Sequence, residues 1–149
     1  MTSYTAQNIG EIVHASCVAF CNQGVLISGP SASGKSTLAL ELISRGATLV
    51  ADDRTVLSVT DNQILASPPA KLSGIIEVRG IGLLRAKSAA PVRLGLIIDL
   101  EHTEPLRHPP KRIRKLMGLS LPVLYRIDSS SFPAAILQYL AEGLYTDEN

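Results

Sequence analysis

Residues 29–36 are the segment whose residue types and spacing are best suited to chemistry. They read Gly-Pro-Ser-Ala-Ser-Gly-Lys-Ser and match the pattern G-x-x-x-x-G-K-[ST] at every defined position. Glycine permits the backbone dihedrals that bend such a loop around a phosphate, so that successive N–H groups point inward. The lysine would reach the β- and γ-phosphates of a nucleotide, and the last serine would ligate Mg²⁺. The expected cofactor-binding residues are Gly29, Pro30, Ser31, Ala32, Ser33, Gly34, Lys35, Ser36 and Thr37.

The elements predicted around this loop are the ones that the motif requires. Residues 24–28 predict a short buried strand before it. Residues 34–45 predict a helix after it, with Leu38, Leu42 and Ile43 on one face and Gly46 as the C-terminal cap. The N-terminus of that helix would add positive potential at the loop. A Gly/Ser surface loop that matches by chance is the alternative, and the flanking strand and helix favour the nucleotide site.

A magnesium site also needs an acidic partner, and two segments offer one. The segment Leu-Val-Ala-Asp-Asp ends a predicted strand, residues 47–51, with Asp52 and Asp53. The segment Leu-Ile-Ile-Asp-Leu-Glu at residues 96–101 is similar to a Walker B strand. Spacing alone does not choose between them. The tandem aspartates could hold Mg²⁺ with one carboxylate and act as a base with the other, while the plainer interpretation is a turn that caps the strand.

The remaining pattern mixes strand–helix units with hairpins, which predicts an α/β fold with a mixed sheet and flanking helices. Asp61-Asn62 is a hairpin signal between residues 56–59 and 64–66, and Ser129, Ser130 and Ser131 are candidate N-caps for a last helix. The other predicted segments are a strand at 12–20, a turn at 22–24, a strand at 75–78, a mobile loop at 85–92, a strand at 92–100, an exposed stretch at 101–115 and a helix at 132–144.

Composition narrows the class of protein further. The chain has 149 residues, so we expect one domain over residues 1–149. A net charge of +1 gives no overall attraction to nucleic acid or to an anionic membrane. No apolar run reaches the ~18 residues of a membrane-spanning helix, and the polar residues 1–4 lack a signal-peptide pattern. Cys17 and Cys21 are about 13 Å apart if the strand is extended, which excludes a disulfide and predicts two buried thiols in a cytoplasmic protein.

Three blocks of this sequence resemble one family, the HPr kinase/phosphorylases, which act on a serine of the phosphocarrier protein HPr. The blocks are His14 with residues 24–36, residues 40–53, and residues 74–84. The last block reads Gly-Ile-Ile-Glu-Val-Arg-Gly-Ile-Gly-Leu-Leu and is similar to the family's signature segment. The resemblance implies an α/β core similar to the HPr kinase and PEP carboxykinase-like fold. Because the chain begins almost at that core, it resembles the truncated forms of alphaproteobacteria, without a separate N-terminal domain.

The resemblance also implies roles for individual residues. Asp52 would be the catalytic base, and Asp53, Ser36 and Glu77 would surround Mg²⁺. His14 would lie near the catalytic aspartate and tune its protonation, although a histidine in a strand is more often an ordinary structural residue. An arginine would neutralise charge on the moving phosphoryl group, and Arg93 is preferred for that role over Arg79.

The predicted function is therefore an ATP- and Mg²⁺-dependent protein serine kinase that phosphorylates HPr and so regulates the phosphotransferase system and carbon metabolism. The family resemblance adds phosphate-dependent dephosphorylation of seryl-phosphorylated HPr and a hexameric assembly. The alternative is a nucleotide-sensing regulatory module with little catalysis. It is motivated by residues 85–93, which are shorter and poorer in glycine than the family's catalytic loop, and by the altered segment after Val123. A small-molecule P-loop kinase is a weaker third interpretation, since no lid segment of that type is evident.

Overall fold

The structure, a computed structural model, describes residues 10–145. This part of the chain contains eleven β-strands and two α-helices, and no helix in it is long and apolar enough to span a membrane. Residues 1–4, interpreted above as lacking a signal-peptide pattern, lie outside the described residues. The helices are Lys35–Ser44 (α1) and Phe132–Glu142 (α2), and Ala70–Leu72 forms a short 3₁₀ turn. The strands are Glu11–Val13 (β1), Ala15–Phe20 (β2), Gln23–Ser28 (β3), Thr48–Ala51 (β4), Thr55–Thr60 (β5), Gln63–Ser67 (β6), Ile75–Val78 (β7), Gly82–Arg85 (β8), Val92–Thr103 (β9), Arg112–Leu116 (β10) and Leu119–Arg126 (β11).

Nine of these strands form one mixed sheet, as the sequence predicts. The order is β1-β5-β6-β9-β3-β2-β4, and β11 and then β10 are added beside β9. The pairs β3–β9 and β9–β11 are parallel, and the other pairs are antiparallel. Strand β9 is central because its start pairs with β6 and its later part lies between β3 and β11. The remaining strands, β7 and β8, form a separate hairpin.

The sheet is strongly curled, and the position of His14 between two distant strands shows this. Strand β1 pairs with β5 at one end of the sheet, whereas β2 lies near the other end between β3 and β4. His14 alone separates β1 from β2, so the two ends of the sheet must approach each other. The Thr55 hydroxyl, on β5, donates to the Ala15 carbonyl on β2 at 2.8 Å and joins these ends directly.

Alternating side chains of the sheet form two apolar cores, one on each face. The inner core fills the curl and includes Cys17, Leu26, Leu57 and Ile97. The outer core lies between the sheet and both helices, which pack on the same face of the sheet. Its side chains come from β2, β3, β4, β9, both helices and the β7–β8 hairpin; they include Val18, Ile27, Leu42, Leu49, Ile76, Ile98 and Ile136. The two-residue alternation in β3 and β9 explains why these nearly continuous apolar runs are buried on both faces.

Two predictions for the first strands are wrong. The single strand expected at residues 12–20 is interrupted at His14, where the chain bends from one end of the sheet towards the other. The turn after it consists of Cys21 and Asn22, both with positive φ (53° and 61°), so Gln23 already pairs with Phe20. Cys21 is consequently exposed, and only Cys17 is buried; both thiols are free.

The loop predicted to be mobile at residues 85–92 is hydrogen-bonded to β4, and the stretch predicted to be exposed at 101–115 is largely exposed but contains strand residues. Residues 86–91 are hydrogen-bonded to β4: the Ala89 N–H donates to the Leu49 carbonyl at 2.9 Å, and the Leu49 N–H donates to the Lys87 carbonyl at 3.2 Å. This segment therefore continues the sheet edge beyond β4. In the basic stretch at 101–115, β9 extends to Thr103 and β10 begins at Arg112. A Met117-Gly118 turn then leads into β11, so this part of the chain forms a second hairpin beside β9.

The last helix forms as predicted but is shorter at its C-terminal end. It buries Phe132, Ile136, Leu137 and Leu140 and stops at Gly143, whose φ of 80° breaks the helical geometry. Leu144, predicted to be on the apolar face, is exposed. Ser131 occupies the N-cap position without a side-chain capping bond. The hydroxyl of Ser129 instead accepts a hydrogen bond from the Ser131 N–H at 3.1 Å.

Candidate active site

The glycine-rich loop joins β3 to α1, as the sequence predicts. Its backbone is closed by a hydrogen bond from the Ser33 N–H to the Pro30 carbonyl at 3.1 Å. A side chain at Gly29 is excluded because a Cβ there would lie 2.6 Å from the Ser33 hydroxyl oxygen. Gly34 precedes the helix with φ at 99°, a conformation that other residues rarely adopt. These two glycines allow the tight curve that the motif requires.

Lys35 and Ser36 open helix α1 directly after this loop. The Lys35 side chain is folded back over the loop, and its ammonium group donates to the carbonyls of Gly29 at 3.0 Å and Pro30 at 3.2 Å. The residue is only 8% exposed, so its charge is held close to the loop backbone. Ser36 points to the end of β4, where its hydroxyl donates to Oδ1 of Asp52 at 2.6 Å.

Of the two acidic candidates, the pair Asp52 and Asp53 contains the carboxylate that contacts Ser36. Asp52 follows β4 and accepts three hydrogen bonds: from Ser36, from the Ser16 hydroxyl at 3.0 Å and from the Glu77 N–H at 3.1 Å. Asp53 is next in the chain, has φ at 66° and is exposed. Its N–H donates to the Ser16 hydroxyl at 3.0 Å. The acid pair therefore lies against the first turn of α1.

Asp99, the other candidate, is also at the loop end of the sheet but is already paired. Its side chain is buried, and Oδ2 accepts from Arg114 at 2.6 Å and lies 2.9 Å from Nδ1 of His102, while Oδ1 accepts from the Glu101 N–H at 2.8 Å. Burial would raise the pKa of Asp99, but the Arg114, His102 and Glu101 hydrogen bonds outweigh it and hold the pKa below 3.8. Asp99, Glu101 and His102 place ligand atoms within 4.8 Å of one another, but both Asp99 oxygens already have hydrogen-bond partners within the protein.

Glu77 and Arg79 lie on the hairpin that faces the glycine-rich loop. Together with the loop and the acid pair, the hairpin encloses a cleft of about 790 Å³. Strand β7 is attached to the acid pair through the bond from the Glu77 N–H to Asp52. The turn of the hairpin borders this cleft and includes Ile81, which is 71% exposed. Of the two arginines considered for the phosphoryl group, Arg79 lines the cleft.

The structure does not bring Arg93 into this group. Arg93 is near the start of β9, beside Leu94, which is paired with Gly24 at the start of β3. The glycine-rich loop follows the opposite end of β3, where Ser28 is paired with Asp99. Six residues of strand separate Arg93 from Asp99, which is about 20 Å. Within one chain the acid pair and Arg93 therefore lie far apart, whereas Arg79 lines the cleft.

His14 lies closer to the site than Arg93 does. It is exposed at the bend before Ala15, and Ala15 is paired with Ser28, the residue before the loop. The histidine is thus two residues from Ser16, which contacts the acid pair. It is not among the residues that line the cleft.

Two residues of the site have no sequence motif. Arg126, at the end of β11, donates to the carbonyls of Ser33 in the loop and Leu100 in β9. It lies 93 residues from Ser33 in the sequence, so no local pattern could reveal the contact. Ser16 gives a faint signal, because it is a polar residue in the otherwise apolar run at residues 15–18.

These features define a class: a mixed α/β protein with a Walker A sequence between a strand and a helix and an acid pair beside it. A family model described as the HPr Serine kinase C-terminal domain matches residues 6–108. The chain belongs to this family.

Named relatives agree with the family model. The HPr kinase/phosphorylase of Malacoplasma penetrans is 31% identical over 125 residues, which cover 75% of this chain and 42% of the relative. That of Lactiplantibacillus plantarum is 40% identical over 115 residues, which cover 70% of this chain and 36% of the relative. The chain thus spans about two fifths of the length of these relatives. Among solved structures, the Hpr(Ser) kinase/phosphatase from Coxiella burnetii matches with a TM-score of 0.76 and 28% identity, covering 88% of this chain and 94% of that one.

Proposed function

We propose that this protein is a serine kinase that uses ATP and Mg²⁺ to phosphorylate HPr, and that the same site supports phosphate-dependent dephosphorylation of the product. The observation that carries the proposal is the 2.6 Å contact between the Ser36 hydroxyl and the Asp52 carboxylate at the start of α1. It joins the residue that the Walker A pattern assigns to the metal with a carboxylate suited to act as a base. The names of the relatives supply the substrate class.

The residues of the cleft fit a magnesium-bound polyphosphate. Lys35 supplies a cation, and the main-chain N–H groups of the loop and of the first turn of α1 supply donors. Ser36, Asp53 and Glu77 supply the oxygen ligands that Mg²⁺ prefers. When bound, the metal would neutralise charge on the transferred phosphoryl group.

In this proposal Asp52 accepts the proton of the attacking serine hydroxyl, and the oxygen of that serine forms the new bond to phosphorus while ADP leaves. When inorganic phosphate instead attacks phosphoserine, a new bond from phosphate oxygen to phosphorus forms pyrophosphate, the bond from the serine oxygen to phosphorus breaks, and Asp52 returns the proton to the serine oxygen. Lys35 holds the phosphates in line with the acceptor, and Arg79 lies on the hairpin where it can meet the acceptor side of the cleft.

The test is transfer of ³²P from ATP to HPr by the full chain with Mg²⁺, read as phosphoserine. We expect transfer by the wild type, loss of at least about two orders of magnitude in Asp52→Asn, and retained ATP binding in that variant. Addition of inorganic phosphate to seryl-phosphorylated HPr tests the reverse reaction. A wild type that binds ATP but modifies no HPr would contradict the proposal.

The nucleotide-sensing module stays the second candidate, and one structural observation favours it. The segment at 86–91 is hydrogen-bonded along β4 and is not a free loop that could close over an acceptor. A sensing module would bind ATP, capture a partner and turn over no substrate. Measured phosphoserine formation decides between the two candidates.

A further inference from the structure

Ser16 connects the two aspartates of the acid pair through a single hydroxyl group. It lies on β2 and is fully buried. Its Oγ donates to Oδ1 of Asp52 at 3.0 Å and accepts from the N–H of Asp53, also at 3.0 Å. One side chain therefore contacts the carboxylate of one aspartate and the main chain of the next.

The direction of these two bonds is determined by chemistry. The N–H of Asp53 can only donate, so the oxygen of Ser16 must accept that bond. The single proton of the hydroxyl is then free to be donated to Asp52, which as a carboxylate accepts only. Both bonds are made together, so the Asp52 carboxylate cannot rotate away without breaking the first bond, and the main chain at Asp53 cannot turn without breaking the second.

The backbone at Asp53 shows what this bond holds in place. Asp53 has φ at 66°, in the left-handed region that aspartate adopts only in special turns. The turn is tight, because the Arg54 N–H reaches back to the Asp52 carbonyl at 2.7 Å. In this conformation the side chain of Asp53 is exposed at the cleft while that of Asp52 is directed to Ser36.

We propose that Ser16 is a positioning residue that fixes the orientation of the acid pair and so keeps the two aspartates in separate roles. The inference rests on the proposed function. Ser16 touches neither nucleotide nor acceptor in this scheme and acts through Asp52 and Asp53. Ser16→Ala leaves the Asp53 N–H without its partner and removes one of the three donors to Asp52, whereas Ser16→Thr keeps a hydroxyl.

The experiment compares Ser16→Ala, Ser16→Thr and a matched control in the full chain. Thr55→Val is the control because Thr55 is also fully buried, and its hydroxyl donates to the Ala15 carbonyl on the same strand without touching the acid pair. The measurements are melting temperature, kcat and KM for ATP in HPr phosphorylation, and Mn²⁺ affinity with ATP bound, read by electron paramagnetic resonance.

We expect Ser16→Ala to lower kcat about tenfold or more while KM for ATP changes less than about twofold. Ser16→Thr should recover most of that loss. Thr55→Val should lose melting temperature to a similar extent and keep its kcat. Mn²⁺ affinity should fall about fivefold in Ser16→Ala only, since only this variant frees the main chain that positions the Asp53 carboxylate.

An unchanged kcat and Mn²⁺ affinity in Ser16→Ala would overturn the inference and leave the proposed function standing. A loss of kcat in Ser16→Ala and Thr55→Val that only follows their loss of stability would also overturn it. If the wild type transfers no phosphate, the proposed function fails, and the Mn²⁺ comparison alone then decides the role of Ser16. If Ser16→Thr does not fold, the comparison of Ser16→Ala with Thr55→Val gives the same decision.

Discussion

The hydroxyl of Ser36 and the carboxylate of Asp52 meet at 2.6 Å although sixteen residues separate them. Their meeting follows from the strand order. Strands β3 and β4 both pair antiparallel with β2, which lies between them, so both end at the same edge of the sheet. Helix α1 connects the two and starts at that edge, which brings its first turn to the end of β4.

Lys35→Ala should weaken ATP binding without unfolding the protein. The ammonium group is held over the loop by the carbonyls of Gly29 and Pro30, and its loss removes a charge-assisted contact to the phosphates. We expect Kd for ATP to rise about tenfold or more, equivalent to about 1.4 kcal/mol, in a calorimetric titration. Lys115→Ala, at an exposed position of β10, is the control and should bind like the wild type. Equal affinities in both variants would contradict the role of Lys35.

Asp53→Asn and Glu77→Gln should each raise the Mg²⁺ concentration needed for half-maximal turnover. Both residues line the cleft beside Ser36, and an amide is a weaker ligand for Mg²⁺ than a carboxylate. The expected increase is about tenfold at a fixed ATP concentration, roughly 1.4 kcal/mol of metal binding. Asp61→Asn, in the exposed β5–β6 turn, should leave the magnesium dependence unchanged. A magnesium dependence like that of the wild type in both cleft variants would remove these residues from the metal site.

Arg126→Gln should loosen the contact between the glycine-rich loop and strand β9. The guanidinium group binds the carbonyls of Ser33 and Leu100, and a hydrogen bond to a charged group contributes about 1.5–3 kcal/mol. We expect the KM for ATP to rise about tenfold, with partial recovery in Arg126→Lys. Arg107→Gln, at an exposed position between β9 and β10, serves as the control. A KM unchanged in Arg126→Gln would show that the loop holds its shape without this residue.

Arg114→Met should change how stability depends on pH. In the wild type the pKa of Asp99 is held below its ordinary value, so its stabilising contribution is complete well above the pKa of an unfolded aspartate and is lost as the pH falls through the lowered folded-state pKa. Without Arg114 the carboxylate is buried with weaker compensation, and we expect a loss of about 2 kcal/mol at pH 7. Chemical denaturation at pH 7 and pH 3 should show this difference shrinking at the lower pH. A constant difference would contradict the ion pair's contribution.

The sequence predicted the part of the fold that depends on local patterns. The strand before the loop, helix α1, the Asp61-Asn62 hairpin and the apolar strand at the centre of the sheet all follow from short-range spacing. The sequence does not predict strands β10 and β11, because the alternating arginines of β10 indicate an exposed basic stretch. Arg112 and Arg114 are instead paired with Glu104 and Asp99. Asp99 lies on β9 and Glu104 directly follows that strand, beyond the reach of a local pattern.

The candidate site was predictable to the same extent. The Walker A sequence identifies Lys35 and Ser36, and the tandem aspartates were one of two candidates for the acidic partner. The two candidates differ in their contacts across the sheet: Asp52 accepts from Ser36, whereas Asp99 contacts Arg114 and His102. Ser16 and Arg126 contact residues that are distant from them in the sequence, so sequence alone could not assign them.

The separate β7–β8 hairpin covers one side of the cleft and is called its roof, while the nine-stranded sheet lies on the other side as its floor. The two differ in stability. The floor belongs to a nine-stranded sheet with cores on both faces, whereas a hairpin of two strands has little stability of its own. The hairpin depends on Ile76 packed in the outer core and on the bond from the Glu77 N–H to Asp52. Lifting it away therefore requires only a fraction of the free energy of global unfolding, and the roof can open while the sheet beneath stays intact.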